Sequence, residues 1–433
     1  MKKALALSLA LGLALSLLAG CEMLVPDPTE RPSNWWNSAE PAGSTGPSQS
    51  QAPGSADPGP SQAVWKEGIG PDSDRRFVHN HFDFCASEDT AYFSPHYSNL
   101  IYYMDKATGI CLPLCGKPEC THTDETCNAF AQSAEGLTSY NGRLCWAGQN
   151  GTWLTGGGQW YVYSTAYDGT DRRTVRQLTD WEGMTIQTIF HRGYLYRNKL
   201  TSEVVNGAAK DVVYVEAYPL EGDGDGIVIL RAEVHYSWLF TQAYGDHVYI
   251  IFETPDGATE LHRWDTRAGE LETLFRGEAP FDWETLNVQF WVIEDGIVFC
   301  CSEYTGPDED PTASWELVLD RFSFETRDFE PLNRLHINTS DVNYTNLTIL
   351  DGLVIANWWD ADSDSFRLLV KDFEDQIVLD AALEEPEWRT ISGPIGACYG
   401  IDEDHLYFSK RDIQYVAVSR DGSEIRLLWT SEM

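Results

Sequence analysis

One short pattern returns seven times along this chain, and it limits what the chain can fold into. A pair of turn-forming residues precedes one variable residue and then an apolar run. It reads Glu88-Asp89-Thr90-Ala91-Tyr92, Asn141-Gly142-Arg143-Leu144-Cys145, Arg192-Gly193-Tyr194-Leu195-Tyr196 and Gly245-Asp246-His247-Val248-Tyr249. The remaining copies are Asp295-Gly296-Ile297-Val298-Phe299, Asp351-Gly352-Leu353-Val354-Ile355 and Glu403-Asp404-His405-Leu406-Tyr407. Successive copies lie 50–56 residues apart. A period of that size marks stacked supersecondary units rather than one large core.

The segments between copies name the unit. A second turn follows several of them, as in Asp105-Lys106-Ala107-Thr108-Gly109, Asp168-Gly169, Asp265-Thr266-Arg267-Ala268-Gly269 and Asp421-Gly422. Gly and Asp there supply the positive φ of tight hairpins. The intervening runs are short, β-branched and aromatic, such as VVYVEAY (212–218) and HVYIIFE (247–253). No apolar helical period persists for three turns in the folded part. About 50 residues per four-stranded unit is the size of a propeller blade. The fold expected is therefore all-β, a β-propeller of seven four-stranded blades over residues 66–433. The 16 Trp, 20 Tyr and 18 Phe suit the wedges between blades, where a ring buries 150 Å² or more. The alternating run RFVHNHFDFC (76–85) is expected to add to the last blade and lock the ring.

The N-terminus reads differently. Met1-Lys2-Lys3 is a cationic start, and Ala4–Leu17 is an apolar run too short for a spanning helix of about 20 residues. It ends in Leu18-Ala19-Gly20-Cys21, which resembles a bacterial lipobox. The resemblance implies a signal at 1–20, cleavage before Cys21, and a lipid on Cys21 that anchors the chain outside the cytoplasm. Residues 21–65 follow as a Pro/Gly/Ser-rich tether without apolar periodicity, spanning on the order of 35 Å as a flexible coil.

A formal charge of −37 argues against nucleic acid or anionic lipid as partners, since those need a Lys/Arg footprint. It suits solubility, cations or a cationic partner, and a monomeric chain is expected. Tyr92-Phe93-Ser94 and Tyr407-Phe408-Ser409, each followed by a strand and an Asp-Gly type turn, resemble the YWTD repeats of low-density-lipoprotein-receptor type propellers. In the middle copies Cys300-Cys301-Ser302 and Ala356-Asn357-Trp358 take that place. The mature chain also resembles propeller lipoproteins of Gram-positive anaerobes, in which a Cys/His loop follows the first repeat. That resemblance implies a cell-surface location and no particular activity.

The Cys/His loop, 111–127, is the unusual constellation. Cys115, Cys120, His122 and Cys127 have the pattern C-x4-C-x-H-x4-C, with Cys111 as a further candidate. Three thiolates and an imidazole would make a closed structural Zn site. One residue between Cys120 and His122 puts them on opposite sides of an extended chain, so a tight turn is required, and Pro118 would help to set it. Disulfides are the competing reading for an exported chain. With Cys21 lipidated, the other nine of the ten cysteines are an odd set, so at least one has no internal partner. Reduced thiols are the third reading. Cys145, Cys300 and Cys398 sit in apolar strands and read as small buried hydrophobes.

Other motifs carry less. His79, His81, Asp83 and Cys85 share one face of a strand, superficially like the H-x-H-x-D-H of metallo-hydrolases, but Phe84 stands in place of the last His. Asp360-Ala361-Asp362-Ser363-Asp364 begins like a Ca²⁺ loop, yet Ser365 replaces the turn Gly and Lys371 the twelfth-position Glu. GDGDG (222–226) and GPDEDP (306–311) read as hairpin tips. No nucleophile elbow, zincin or phosphate-loop motif occurs. The function expected is binding of a protein, peptide or glycan partner without catalysis. The alternatives are an enzyme acting on polysaccharide or cell wall, and a metal- or redox-responsive sensor.

Overall fold

A computed structural model describes residues from Asp83 to Thr430, apart from short stretches of connecting chain such as 151–158, 305–314 and 384–395. The signal, the tether, Cys21 and the His79/His81 pair lie outside the described residues, as do 222–225, 306–311 and 361–364.

Twenty-eight strands form seven antiparallel sheets of four, with no helix among the described residues. Blade 1 holds β1 (Asp83–Ala86), β2 (Thr90–Ser94), β3 (Tyr102–Asp105) and β4 (Cys111–Pro113). Blade 2 holds β5 (Glu135–Tyr140), β6 (Arg143–Asn150), β7 (Gln159–Thr165) and β8 (Arg173–Leu178). Blade 3 holds β9 (Met184–His191), β10 (Tyr194–Val205), β11 (Ala208–Pro219) and β12 (Ile227–Glu233). Blade 4 holds β13 (Leu239–Tyr244), β14 (His247–Glu253), β15 (Thr259–Asp265) and β16 (Glu270–Gly277). Blade 5 holds β17 (Gln289–Ile293), β18 (Gly296–Tyr304), β19 (Trp315–Ser323) and β20 (Phe329–Ile337). Blade 6 holds β21 (Thr345–Leu350), β22 (Leu353–Asp360), β23 (Ser365–Asp372) and β24 (Ile377–Leu383). Blade 7 holds β25 (Cys398–Ile401), β26 (His405–Lys410), β27 (Gln414–Ser419) and β28 (Ile425–Thr430).

Every copy of the repeated motif falls at the turn between the first and second strands of a blade, so seven copies give seven blades. Asn141 and Gly142 have φ of 48° and 72°, and Arg192 and Gly193 have 50° and 79°. Two consecutive positive φ values match the twist of a two-residue hairpin. The first strands stand side by side in a closed circle, β1, β5, β9, β13, β17, β21, β25 and back to β1.

Side chains bridge these inner strands to the neighbouring blade. Gln187 Nε2 donates to Thr241 O at 2.9 Å, and Thr241 N returns a bond of 2.9 Å to Gln187 Oε1. Val292 N donates to Gln242 Oε1 at 3.1 Å, and Cys398 N to Thr348 Oγ1 at 3.2 Å. Such bonds satisfy buried polar groups that one narrow sheet leaves over. Outside the circle, seven apolar clusters fill the seven interfaces. The one between blades 3 and 4 contains Tyr196, Val213, Val248 and Ile250; the one between blades 5 and 6 contains Trp291, Val298, Ile349 and Trp358.

Of the run 76–85 expected to lock the ring, residues 76–82 lie outside the described residues, and only its end can be placed. β1 does not add to the last blade; it pairs with β2 in the register Asp83↔Ser94 to Ala86↔Ala91 and is the inner strand of blade 1. Blade 7 takes all four of its strands from one continuous stretch of chain. The physical reason is the short link between Ala86 and Thr90, which favours a local hairpin over a distant partner. The seam between blades 7 and 1 is closed by packing instead. Phe84, Ala91, Phe93 and Met104 meet Tyr407, Ala417 and Leu428 there.

Candidate metal centre

The chain between β4 and β5, residues 114–134, is longer than any other link between blades. Its two arms are fixed by one residue. Ile101 accepts a bond from Leu114 N at 2.8 Å and donates to Ala129 O at 2.8 Å, while Ala131 N donates to Asn99 O at 2.8 Å. Cys115 and Cys127 sit next to these tied positions, so backbone pairing alone brings them together.

Tight turns carry the other two ligands back toward them. Cys120 N donates to Lys117 O at 3.2 Å, closing a turn with Pro118 at its second position, where fixed φ is favourable. Thr126 N donates to Asp124 Oδ1 at 2.9 Å, and Cys127 N to Asp124 O at 3.0 Å. His122 supplies the turn that the single-residue spacing demands, with φ at 58°. A non-glycine residue in that region carries strain and is held by its surroundings.

The sulfurs of Cys115, Cys120 and Cys127 and one imidazole nitrogen of His122 all lie within 4.8 Å of one another. His122 Nδ1 is 3.3 Å from Cys127 Sγ. Bonds of about 2.3 Å to sulfur and 2.0–2.1 Å to nitrogen place tetrahedral ligand atoms about 3.5–3.8 Å apart. The four groups therefore fit such a cation with little contraction. Cys127 is buried and the other three are partly buried. Burial pushes the Cys115 thiol up, but the backbone N–H groups of Lys117 and Asn128 and the Cys127 and Cys120 thiols leave it below the ordinary value. Burial and the neighbouring thiols push Cys127 up to about 12, against the Ala129 N–H. Backbone N–H groups aimed at sulfur are the outer shell that orients thiolate ligands.

No disulfide joins any of the nine described cysteines. Cys111 stands apart from the four: it packs at the seam between blades 7 and 1, whereas Cys115, Cys120 and Cys127 join the cluster between blades 1 and 2. Blade 1 separates the two faces. Burial raises the Cys111 thiol to about 12. Cys145, Cys300 and Cys398 are buried in strands as expected.

The loop rests on blade 2. Gly116 N and Asn128 Nδ2 both donate to Gly169 O, at 3.1 and 2.7 Å. Arg172 Nη1 donates to Cys127 O at 3.0 Å. Its guanidinium lies 4.7 Å from the Tyr163 ring centre and 5.8 Å from that of Trp146. Arg172 is invisible to sequence reasoning, because it is far from the cysteines in the chain and marked only by the Asp168-Gly169 turn before it. The same holds for a second buried group of charges in blade 3. Fully buried Arg197 donates to Thr185 Oγ1 at 2.9 Å and lies 3.6 Å from Glu216, which also pairs with Lys199 at 2.6 Å. A cavity of about 390 Å³ on blade 5 carries Glu303, Asp320 and Arg334. Arg334 pairs there with Glu303 at 3.0 Å and with Glu316 at 2.9 Å.

These features define a seven-bladed propeller with a Cys₃His cluster at one blade-to-blade link. No protein-family model matches the chain, and no curated protein matches its sequence. Among solved structures, the chain is similar to an acylaminoacyl peptidase of Pyrococcus horikoshii, at 12% identity and a TM-score of 0.44, over 83% of this chain and 54% of that one. It is similar to a puromycin hydrolase at 13% identity and a TM-score of 0.44, over 86% and 57% of the two chains. An oligogalacturonate lyase in complex with manganese matches at 13% identity and a TM-score of 0.42, over 78% and 85%. The chain spans about half the length of the two hydrolases.

Proposed function

We propose that this chain is a lipid-anchored, extracytoplasmic propeller that binds a protein, peptide or glycan partner without catalysis, and that Cys115, Cys120, His122 and Cys127 hold one structural Zn²⁺. The observation that carries the reading is the convergence of four ligands in the longest link between blades. Shorter links join the other blades, so the ring does not need this length to close. A long loop with little apolar core is rigidified by a metal at the blade 1–blade 2 rim, and a preorganised surface is what a binding loop requires. The lipobox-like Cys21 would hold the chain at the outer face of the membrane through the tether.

The test has two parts. Metal analysis of the full chain should find one zinc, lost in Cys120→Ser and Cys127→Ser. Ligand panels of glycans, peptides and surface proteins should then contain one that the zinc-loaded chain retains and the chelated chain holds about tenfold more weakly or worse. Silence against all panels would sink the binding role. Turnover of a polysaccharide panel by the same preparation would replace it with the enzymatic reading.

A further inference from the structure

A divalent ion bound by three thiolates and one neutral imidazole leaves the centre with a net charge of −1. A net charge that is partly buried and lacks a partner is costly. The centre is sheltered on one side by Cys127, Leu114, Ala129 and Trp146, all buried. Lys117, the cation within the loop, is exposed and its Nζ is bound to Thr126 O at the loop tip.

Arg172 has the complementary problem. It is partly buried, it stacks over Tyr163 and Trp146, and its bond to Cys127 O is to a neutral carbonyl. The arginines beside it in space or sequence are matched with carboxylates: Arg143 pairs with Asp171 at 3.3 Å, and Arg173 pairs with the same carboxylate. No described carboxylate forms an ion pair with Arg172; the exposed Glu125 acts on it only through space. A guanidinium without a carboxylate thus stands against Cys127, which is itself one of the four ligands.

We propose that Arg172 is the counter-charge of the metal centre. It offsets the negative charge of a zinc-type cation in a tris-thiolate site and makes occupancy of that site depend on blade 2. The inference rests on the Zn²⁺ reading above. It names a positioning and charge-balancing residue that coordinates nothing itself.

The experiment compares the full chain with Arg172→Gln and Arg172→Lys. Zinc affinity is read by chelator competition, and cobalt substitution reports thiolate ligation through its sulfur-to-metal charge-transfer band. Arg172→Gln should weaken zinc binding about tenfold or more, the range found for outer-shell partners. Arg172→Lys, which keeps the charge but loses the planar stack on Tyr163 and Trp146, should retain more of the parent's zinc affinity than Arg172→Gln does. Melting of the chelated proteins should differ less than melting of the zinc-loaded ones. Equal zinc affinity for the parent and Arg172→Gln, with both melting temperatures lowered alike, would make Arg172 a packing residue and overturn the proposal while leaving the Zn²⁺ reading intact. A parent chain that takes up neither zinc nor cobalt would overturn both. Should Arg172→Gln fail to fold, Arg172→Lys decides the point: affinity lost as fully as in Cys120→Ser contradicts a charge role, and affinity retained supports it.

Discussion

Gly142 and Gly169 have almost the same φ, 72° and 73°, yet they differ in what surrounds them. A Cβ on Gly142 would meet nothing within 4 Å, whereas one on Gly169 would lie 2.7 Å from the backbone of Leu114 and Cys115. Ala at 142 carries only the left-handed penalty, about 1 kcal/mol. Ala at 169 adds overlap with the metal loop, so roughly two to three times that loss is expected. Denaturant unfolding of Gly142→Ala and Gly169→Ala checks this, and equal losses would refute the tight docking of loop on turn. The same contrast shows what a sequence reports at this scale. Four ligands within thirteen positions were legible because they are close in the chain. Cys111 packs on the other face of blade 1, and spacing alone does not say which face of a blade a strand residue meets. Arg172 was missed because its relation to Cys127 exists only after blade 2 has packed on blade 1.

The repeat located all seven blades because each copy is itself a structural part, the hairpin entering the second strand. The partner of β1 was not legible in the same way. An alternating strand ahead of the first full repeat suits either the outer edge of blade 7 or the inner edge of blade 1, and chain connectivity decides. Among the described residues the seam is held by side chains and no strand is exchanged across it. Phe84 is central to it: its ring is 5.1 Å from that of Tyr407 and covers Gly400, where a Cβ would come within 2.3 Å. Phe84→Ala should cost about 3 kcal/mol, as large core truncations do. Hydrogen exchange should then quicken in blades 1 and 7 before blades 4 and 5, since local opening begins where packing is weakest. A uniform rise around the ring would contradict a packed, unexchanged seam.

At the scale of the whole molecule, the charge of −37 governs how the ring responds to acid. Many carboxylates are tied at turns and strand edges. The Thr108 hydroxyl and N–H hold Asp105 below the usual range, Thr170 does the same for Asp168, Thr254 and Arg276 for Asp256, and Arg367 for Asp380. Hydrogen bonds from Ser423 and Ser419 bring Asp421 to about 2. A group whose folded pKa is depressed contributes stability that is present above its unfolded pKa, about 4, and is lost as pH falls through the folded value. Burial raises Asp320, so that one group works in the opposite direction, favouring the fold as pH falls. The depressed groups outnumber it. Between pH 7 and 5 these tied carboxylates stay ionised in the folded and unfolded chain alike, so their contribution holds there, while charging of the ten His already relieves part of the net negative charge. The melting temperature should therefore hold or rise over that interval and drop steeply between about pH 4 and 2. In that lower window, below the acidic isoelectric point, the protein loses the turn bonds while net positive charge builds up. Thermal melts in matched ionic strength across pH 2–7 test it. A melting temperature that holds or climbs as pH falls from 4 to 2 would mean that the tied turn carboxylates do not set the acid stability of the ring.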